Sequence, residues 1–460
     1  MSSGWMAQPV ARSVLKYFPK AVLPLRGYSW QVEKLYGHQL SEIYSADLRE
    51  SVADGIRANL ARRSDSYDSI IEDLSKRFGV KTPKVPWIDA SKVDIIVPDK
   101  GILVLWPPTF YCSKCKTFYY TPNEPVTRCT ECGNYVFIQV PLCHVCTQCS
   151  RYQPLSPPRK MARRDSRGFF VCEKCGQGKI HLEVKRRKLS DSRWRCGNCE
   201  QEERLMAYCT HVGGQPQLQP MQLKLTTQEP IRPVVISRVY VGGNRVEDVI
   251  EAGELDVYVS ASQVLRMDEL NYLEYVFCID ASNLLLLRDV AAVICTYGYS
   301  TGRDAYVKFF EEYGVKGKKY MAYASISEGN AILVKMKPYN GDRFTFLHTV
   351  EHALTKACHL LAGVQEGAFM GKILEDSNAV LIYEAAGSEQ GGLEYIFRHR
   401  LPQLFTEALK LLFTCKYDCD EACPGCVYIR DPLCHPTSGY FIPNSSLNRK
   451  LVLKEWMKNI

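Results

Sequence analysis

The sequence lacks any apolar run of the roughly 18 residues that a membrane-crossing helix needs. Its best candidate, Leu284 to Ser300, is interrupted by Arg288 and Asp289. That argues against a helical membrane protein and against a membrane partner. The stretch from Met1 to Phe18 has no apolar h-region and already carries Arg12 and Lys16, so it does not read as a secretory signal. A cytoplasmic protein is the expectation. No G-x4-G-K-[ST] loop is present to cradle nucleotide phosphates, which argues against a motor of its own. There is no low-complexity tract, and no large excess of one charge. Against 58 Lys and Arg stand 50 Asp and Glu, a formal net charge of +8. So modest an excess points to an acidic partner only where the basic residues cluster.

What the chain has in quantity is cysteine, 20 in 460 residues. A chain this long divides into two to four domains and can bury a sizeable core, so the cysteines do not replace a missing one. Hydrophobic content of 46% and charged content of 23% are those of a globular protein. Without a signal segment, repeated C-x2-C knuckles point to metal and not to disulfides.

The pattern along the chain predicts an α+β, multidomain fold. Four-cysteine zinc ribbons are inserted in the N-terminal half, and a zinc-binding α/β module lies at the C-terminal end. The divisions fall at 1–109 (mixed α/β), 110–212 (ribbons with basic segments), 213–345 (central α+β) and 346–460 (C-terminal module). Periodicity predicts helices over 46–63, 66–78, 264–276 and 304–313. Further helices start near Thr345, cover 393–413 apart from Pro402, and start near Ser446. Strands are predicted at 93–97, 101–106, 234–241, 331–336 and 379–383.

Cys112-x2-Cys115 and Cys129-x2-Cys132 are separated by 13 residues, a spacing that brings four thiolates to one tetrahedral Zn²⁺. Cys172-x2-Cys175 and Cys196-x2-Cys199 repeat the pattern about 60 residues on, with 20 residues between the knuckles. Between them stands Cys143-x2-Cys146-x2-Cys149, which needs a fourth ligand. Cys209 is the first choice, with His211 and His144 as rivals. A different pairing also fits: Cys146 and Cys149 with Cys172 and Cys175, and Cys196 and Cys199 with Cys209 and His211. Near the end, Cys419-x3-Cys423-x2-Cys426-x7-Cys434 forms a compact fourth site. Zinc is expected there, with an iron–sulfur cluster as the alternative. Four sites take 16 cysteines. Cys278, Cys295, Cys358 and Cys415 are left as small buried hydrophobes.

Two basic runs accompany the second ribbon. One is Arg159, Lys160, Arg163, Arg164 and Arg167; the other is Lys185, Arg186, Arg187, Lys188, Arg193 and Arg195. Tyr152, Phe169, Phe170 and Trp194 lie among or beside them. Arg and Lys on a rigid ribbon neutralise phosphates and exposed aromatics stack on bases, so these segments are read as a nucleic-acid contact, Trp194 included. The plain alternative is a solvated face over core aromatics.

His348, His352 and His359 share one face of a helix. With Glu384 or Glu389 nearby they would suit a metal or an acid–base site. His348-Thr-Val-Glu-His352 is not the H-E-x-x-H zincin order. Packed, hydrogen-bonded core histidines are the expected reading.

The second half resembles the DrmB family. The matching segments are Leu287-Arg-Asp-Val-Ala-Ala-Val, Tyr297-Gly-Tyr-Ser-Thr-Gly-Arg303, Ser327-Glu-Gly-Asn-Ala-Ile-Leu333, Leu347-His-Thr-Val-Glu-His-Ala-Leu354 and Val380-Leu-Ile-Tyr-Glu384 with Gly391-Gly-Leu393. Cys423-Pro-Gly-Cys426, Cys434 and Leu447-Asn-Arg449 resemble the zinc-binding domain that ends MrfA-type helicases. The resemblance is clearest over residues 255 to 455. It implies a zinc-binding accessory subunit, itself no enzyme, of a DNA-translocating helicase in DISARM anti-phage defence, partnered by DNA and a DrmA-like helicase ATPase. The rival readings are a metal-dependent nuclease or other hydrolase using His348, His352 and Glu384, and a zinc-ribbon factor of transcription or RNA handling.

Overall fold

The computed structural model describes residues 14, 17–78, 88–135, 137–140, 142–146, 152–166, 169–185, 191–210, 218–225, 231–253, 258–301, 307–314, 317–385, 391–415, 417, 419, 422–423, 426–429, 436–437, 440–441 and 446–459. It is a mixed α/β multidomain fold with four-cysteine zinc-binding clusters in the N-terminal half and a zinc-binding module at the C-terminal end.

The chain opens with β1 (Val22–Leu25) and β2 (Tyr28–Gln39), followed by helix α1 (Glu42–Phe78) and β3 (Val93–Leu105). One helix spans the two predicted over 46–63 and 66–78. The strands predicted either side of Pro98-Asp99-Lys100 are one strand. Register shifts against β2, between Val32 and Lys34 and between Tyr36 and Gly37, absorb the irregularity as bulges.

Next come short ribbon strands of three or four residues. They are β4 (Thr109–Cys112), β5 (Phe118–Tyr120), β6 (Phe137–Gln139), β7 (Leu142–Val145), β8 (Tyr152–Pro154), β9 (Ala162–Arg164) and β10 (Phe170–Cys172). After them run β11 (Ile180–Glu183), β12 (Arg193–Cys196), β13 (Glu202–Arg204), β14 (Tyr208–Thr210), β15 (Leu218–Pro220) and β16 (Gln222–Leu225).

The central part holds β17 (Ile231–Val241), β18 (Asn244–Arg245), α2 (Val246–Ala252), β19 (Tyr258–Ser260), α3 (Met267–Val276), β20 (Ile279–Thr301), β21 (Val307–Gly314) and β22 (Gly317–Met336). β21 stands where a helix was predicted over 304–313. Phe309 and Phe310 point to opposite faces of the sheet, and neighbours β20 and β22 decide the backbone against a weak helical pattern. The C-terminal part adds α4 (Arg343–Ala362), β23 (Phe369–Leu374), β24 (Ala379–Glu384), α5 (Gly392–His399), α6 (Leu401–Phe413) and α7 (Arg449–Trp456). The helix predicted over 393–413 breaks at Arg400, and Pro402 sits in the first turn of α6, where a missing N–H costs nothing.

Among the described residues, 11 strands form one sheet in the order β1-β2-β3-β22-β21-β20-β17-β18, with β19 on β20 and β24 joining β22 to β23. β3 runs parallel to β22, pairing Val93 with Tyr320. The sheet therefore crosses the divisions at 109, 212 and 345, and the ribbons are inserted between β3 and β17. Alternation buries both faces. Leu284 and Leu286 face α4, α6 and α7, while Leu285 and Leu287 face the side that holds Val32 and Leu35. This is why the apolar run from Leu284 reads nearly continuous: it is a two-sided buried strand. No helix among the described residues is long and apolar enough to cross a membrane.

Candidate metal centres

The first ribbon is built from two matching turns. β4 ends on Cys112, and Lys116 turns back with φ 65°, its N–H donating to the Cys112 carbonyl at 3.0 Å. Gly133, with φ 69°, repeats this on Cys129 at 2.8 Å. Both positions need left-handed backbone, which glycine supplies freely and Lys116 at some cost. The ligating atoms of Cys112, Cys115, Cys129 and Cys132 all lie within 4.8 Å of one another. Two of the edges, Cys112–Cys132 and Cys115–Cys129, measure 3.6 Å. A disulfide would close to about 2.05 Å. A tetrahedron of zinc–sulfur bonds near 2.3 Å has edges of about 3.8 Å, which is the spacing seen. Asn134 Nδ2 donates to Cys112 at 3.5 Å, and Tyr119 Oη lies 3.0 Å from the Cys129 sulfur.

The second ribbon gathers Cys172, Cys175, Cys196 and Cys199 in the same way, with edges of 3.7 Å. Gly178 is part of the fit. A Cβ there would lie 2.3 Å from the Cys196 sulfur and 3.1 Å from that of Cys175. This grouping overturns the other pairing: Cys172 and Cys175 close with Cys196 and Cys199, not with Cys146 and Cys149. The two ribbons also dock. His181 Nδ1 lies 2.8 Å from the Cys115 carbonyl, and Phe118 meets Trp194 edge-on at 4.8 Å.

At the third site, Cys143 lies on β7, Cys146 just past it and Cys209 on β14, all buried. Cys146 and Cys209 share a small cluster with Met221. Cys149 and His211 lie outside the described residues. His144 and Leu142 are buried, Leu223 across the β16 pairing is half-buried, and burial holds the His144 imidazole down at about 4.

The fourth site differs from the sequence expectation. Cys419, Cys423 and Cys426 close with Cys415, which follows the end of α6, and the edges run from 3.4 to 3.7 Å. Cys415 is therefore no spare hydrophobe. Cys434 lies outside the described residues. The buried guanidinium of Arg449 bridges the cluster's flanks, with Nε on the Cys419 carbonyl and Nη1 on that of Leu412 at 2.7 Å.

Packed thiols cannot all ionise unaided. Burial raises them. At Cys112 and Cys415 the N–H donors around the sulfur outweigh it and hold the thiol at about 6. At Cys175 the N–H groups of Gln177 and Gly178 lead, again to about 6. Burial and neighbouring sulfurs push Cys115, Cys196 and Cys419 up to about 12. A divalent cation at the centre of each cluster removes that conflict by charge, and four thiolates at these spacings are a zinc-type donor set.

The histidines of α4 are buried and hydrogen-bonded. His348 Nδ1 lies 3.0 Å from Ser446 Oγ, and His352 Nδ1 lies 2.9 Å from the Val427 carbonyl. His359 Nε2 accepts from the N–H groups of Gly367 and Phe369. Glu384 does not join them. Its oxygens accept from Asn330 N–H at 2.9 Å and Leu393 N–H at 3.1 Å, capping α5. The carboxylate beside His348 and His352 is Glu351, which helical spacing of three and four residues could have revealed. Glu389 lies outside the described residues.

On the ribbon surface, Arg159, Lys160, Arg163, Arg164, Lys185 and Arg195 are exposed and Arg193 half-exposed. Several face carboxylates: Lys160 with Glu203 at 2.7 Å, Arg163 with Glu173 at 3.9 Å, Arg195 with Glu183 at 3.4 Å, and Arg193 with Glu202. Arg167, Arg186, Arg187 and Lys188 lie outside the described residues. Trp194 corrects an expectation. It is 1% exposed, packed inward with Cys196 on the side of β12 opposite Arg193 and Arg195, so no base can stack on it. Phe169 and Phe170 are buried as well.

Residues 350–427 match the family described as the MrfA Zn-binding domain. All four cysteines of the C-terminal cluster fall inside that span, so the module is of this kind. Residues 14–238 match a domain of unknown function, DUF8724. Among solved structures, the crystal structure of the DUF1998 helicase MrfA bound to DNA is similar at 10% identity. The match covers 65% of this chain with a TM-score of 0.29, and the chain spans 37% of that helicase. No curated protein matches.

Proposed function

We propose that this chain is a zinc-binding accessory subunit of a DNA helicase complex, DrmB-like, acting in defence against foreign DNA. The match of residues 350–427 to the MrfA Zn-binding domain carries the reading. A module of the kind found in a helicase, in a sequence with no phosphate-binding loop, suits a subunit that docks onto a separate motor. In this reading the chain does no chemistry of its own, and the motor is DrmA-like.

DNA contact is placed on the β9–β10 hairpin, where Arg159, Lys160, Arg163 and Arg164 stand exposed. Glu173 opposite Arg163 is exposed and Glu203 opposite Lys160 half-exposed, and such surface pairs hold only about 0–1 kcal/mol, so a phosphate can displace them. Arg193 and Arg195 sit between the carboxylates of β11 and β13 and contribute less. The cytoplasm is the place where such a subunit meets incoming DNA.

Two experiments test this. Co-expression with a DrmA-like helicase and size-exclusion chromatography should give one complex, with DNA-dependent ATPase changed by this chain. Separate elution at micromolar concentration with unchanged ATPase counts against the subunit reading. DNA affinity should fall steeply with salt, and replacing Lys160, Arg163 and Arg164 together by Glu should weaken it on all sequences alike. Unaltered affinity moves the contact off this hairpin.

A further inference from the structure

We propose, on the premise that the chain contacts DNA, that Tyr111 and Tyr120 form a stacking site for unpaired bases, with Lys116 and Arg164 beside them to hold the phosphates. These two cations differ from their neighbours in what they face. Lys160, Arg163, Arg193 and Arg195 meet carboxylates. Among the described residues, Lys116 and Arg164 meet tyrosine rings and no carboxylate. Lys116 Nζ lies 5.6 Å from the centre of the Tyr111 ring and donates to the Ser113 carbonyl at 2.6 Å. The Arg164 guanidinium lies 4.9 Å from the centre of the Tyr120 ring. An anion reaches either charge without displacing a carboxylate.

The strands put the two rings on one face. β4 and β5 pair Tyr111 with Phe118 and Thr109 with Tyr120, so the two tyrosines are diagonal neighbours, with backbones about 7–8 Å apart. Ile138 of β6, opposite Tyr111, extends the strip and is 38% exposed. Both tyrosines are half-buried, packed on the ribbon core along one side and open to solvent along the other. Arg164 comes from the second ribbon. It pairs with Phe170 across the β9–β10 hairpin and shares its face, whereas Arg163 points the opposite way. At the other end, the Leu182 N–H of β11 donates to the Lys116 carbonyl at 3.3 Å. The strip thus follows the seam where the two ribbons dock, and both ribbons contribute to it.

The chemistry selects the ligand. A tyrosine face stacks on the face of any base, and an Arg guanidinium stacks as well. In a duplex those faces are covered by neighbouring base pairs, and only edges show in the grooves. Two cations with no carboxylate to neutralise them suit a polyanionic strand better than an apolar peptide. The strip therefore takes single-stranded DNA, while Arg159, Lys160 and Arg163 contact the phosphates of either form.

Binding of the full chain to a labelled oligothymidylate and to a blunt duplex of the same length tests this. The variant combines Tyr111→Leu with Tyr120→Leu, which keeps apolar packing and removes both rings. The expected result is a loss of about tenfold or more on the single strand, with duplex affinity and both salt slopes unchanged. Tyr313→Leu removes a tyrosine 75% exposed on β21 and should change neither affinity. Unaltered single-strand affinity in the folded double variant, or an equal loss on both forms, overturns the stacking site and leaves the DNA reading standing. No binding of either form by the wild type defeats the DNA reading, and the site with it. Should the double variant lose zinc or fail to fold, photo-cross-linking of the wild type to an iodouracil-substituted single strand decides. Adducts on Tyr111 or Tyr120 support the site, and adducts confined to other residues overturn it.

Discussion

The ribbons between β4 and β16 and the sheet they interrupt hold together by different means. Ribbon strands run for three or four residues, whereas β20 runs for 23 and β22 for 20. The sheet buries apolar side chains on both faces, against helices on one side and against Val32 and Leu35 on the other. The ribbon core is small, gathered around Phe118, Phe170 and Trp194, and it includes the ligands Cys172 and Cys196 themselves. A core of that size leaves the individual knuckles little apolar burial to set against their chain entropy. Metal must supply the difference in the ribbons, and does not need to in the sheet.

Chelation is the strongest way to break the comparison, and the largest effect is expected from it. Stripping metal should abolish amide protection over residues 109–225 while the β17–β22 strands keep theirs, read by hydrogen exchange. Equal loss in both regions would show that the sheet leans on the ribbons and that the insertion is not independent.

Next in size is Gly178→Ala. Its Cβ would press on the Cys196 and Cys175 sulfurs, so the second cluster should lose its zinc, as with Cys172→Ser. Gly253→Ala is the control. Unlike Gly178 it has positive φ, at 70°, and nothing lies within 4 Å of its Cβ, so only the backbone cost of roughly 1 kcal/mol applies. Zinc content and Tm of the two variants separate crowding of the metal from backbone strain. A third step, Trp194→Ala, should cost the ribbon about 3–5 kcal/mol by opening a cavity and leave DNA affinity per folded molecule unchanged. A drop in affinity with the ribbon still folded would restore the stacking role that burial removes.

The same contrast explains what was legible in the sequence. The knuckles were readable because C-x2-C fixes local geometry whatever surrounds it, and both ribbon tetrads close as their spacing implies. Cys415 was missed because the last site depends on tertiary placement. It sits four residues before Cys419, at the end of α6, and joins only because the helix delivers it there. Trp194 was misread although the signal was present. In Arg193-Trp-Arg-Cys196 the period of two puts Trp194 on the side of Cys196, and a ligand must face inward. β21 was misread as helix because its partners β20 and β22, and not its own pattern, set its conformation. Glu384 was paired with the histidines on sequence order, whereas folding commits it to the first turn of α5.

The smallest expected effect sharpens the comparison from inside the cysteines. Cys278, Cys295 and Cys358 belong to the sheet side, where burial pushes each thiol up. Cys295 and Cys358 are fully buried, and Cys278 is half-buried with φ 54° just before β20. None of the three joins a metal cluster among the described residues. Cys278→Ser should leave metal content unchanged and shift stability by no more than about 0.5 kcal/mol, since a partly exposed thiol gives up little on becoming a hydroxyl. Cys415→Ser should instead remove one zinc and loosen α6 and α7, because Arg449 then bridges carbonyls whose spacing the metal no longer fixes. If Cys278→Ser costs a metal, a sheet cysteine is a ligand and the division between the two regions fails. If Cys415→Ser costs none, the C-terminal cluster closes through another ligand, Cys434 foremost.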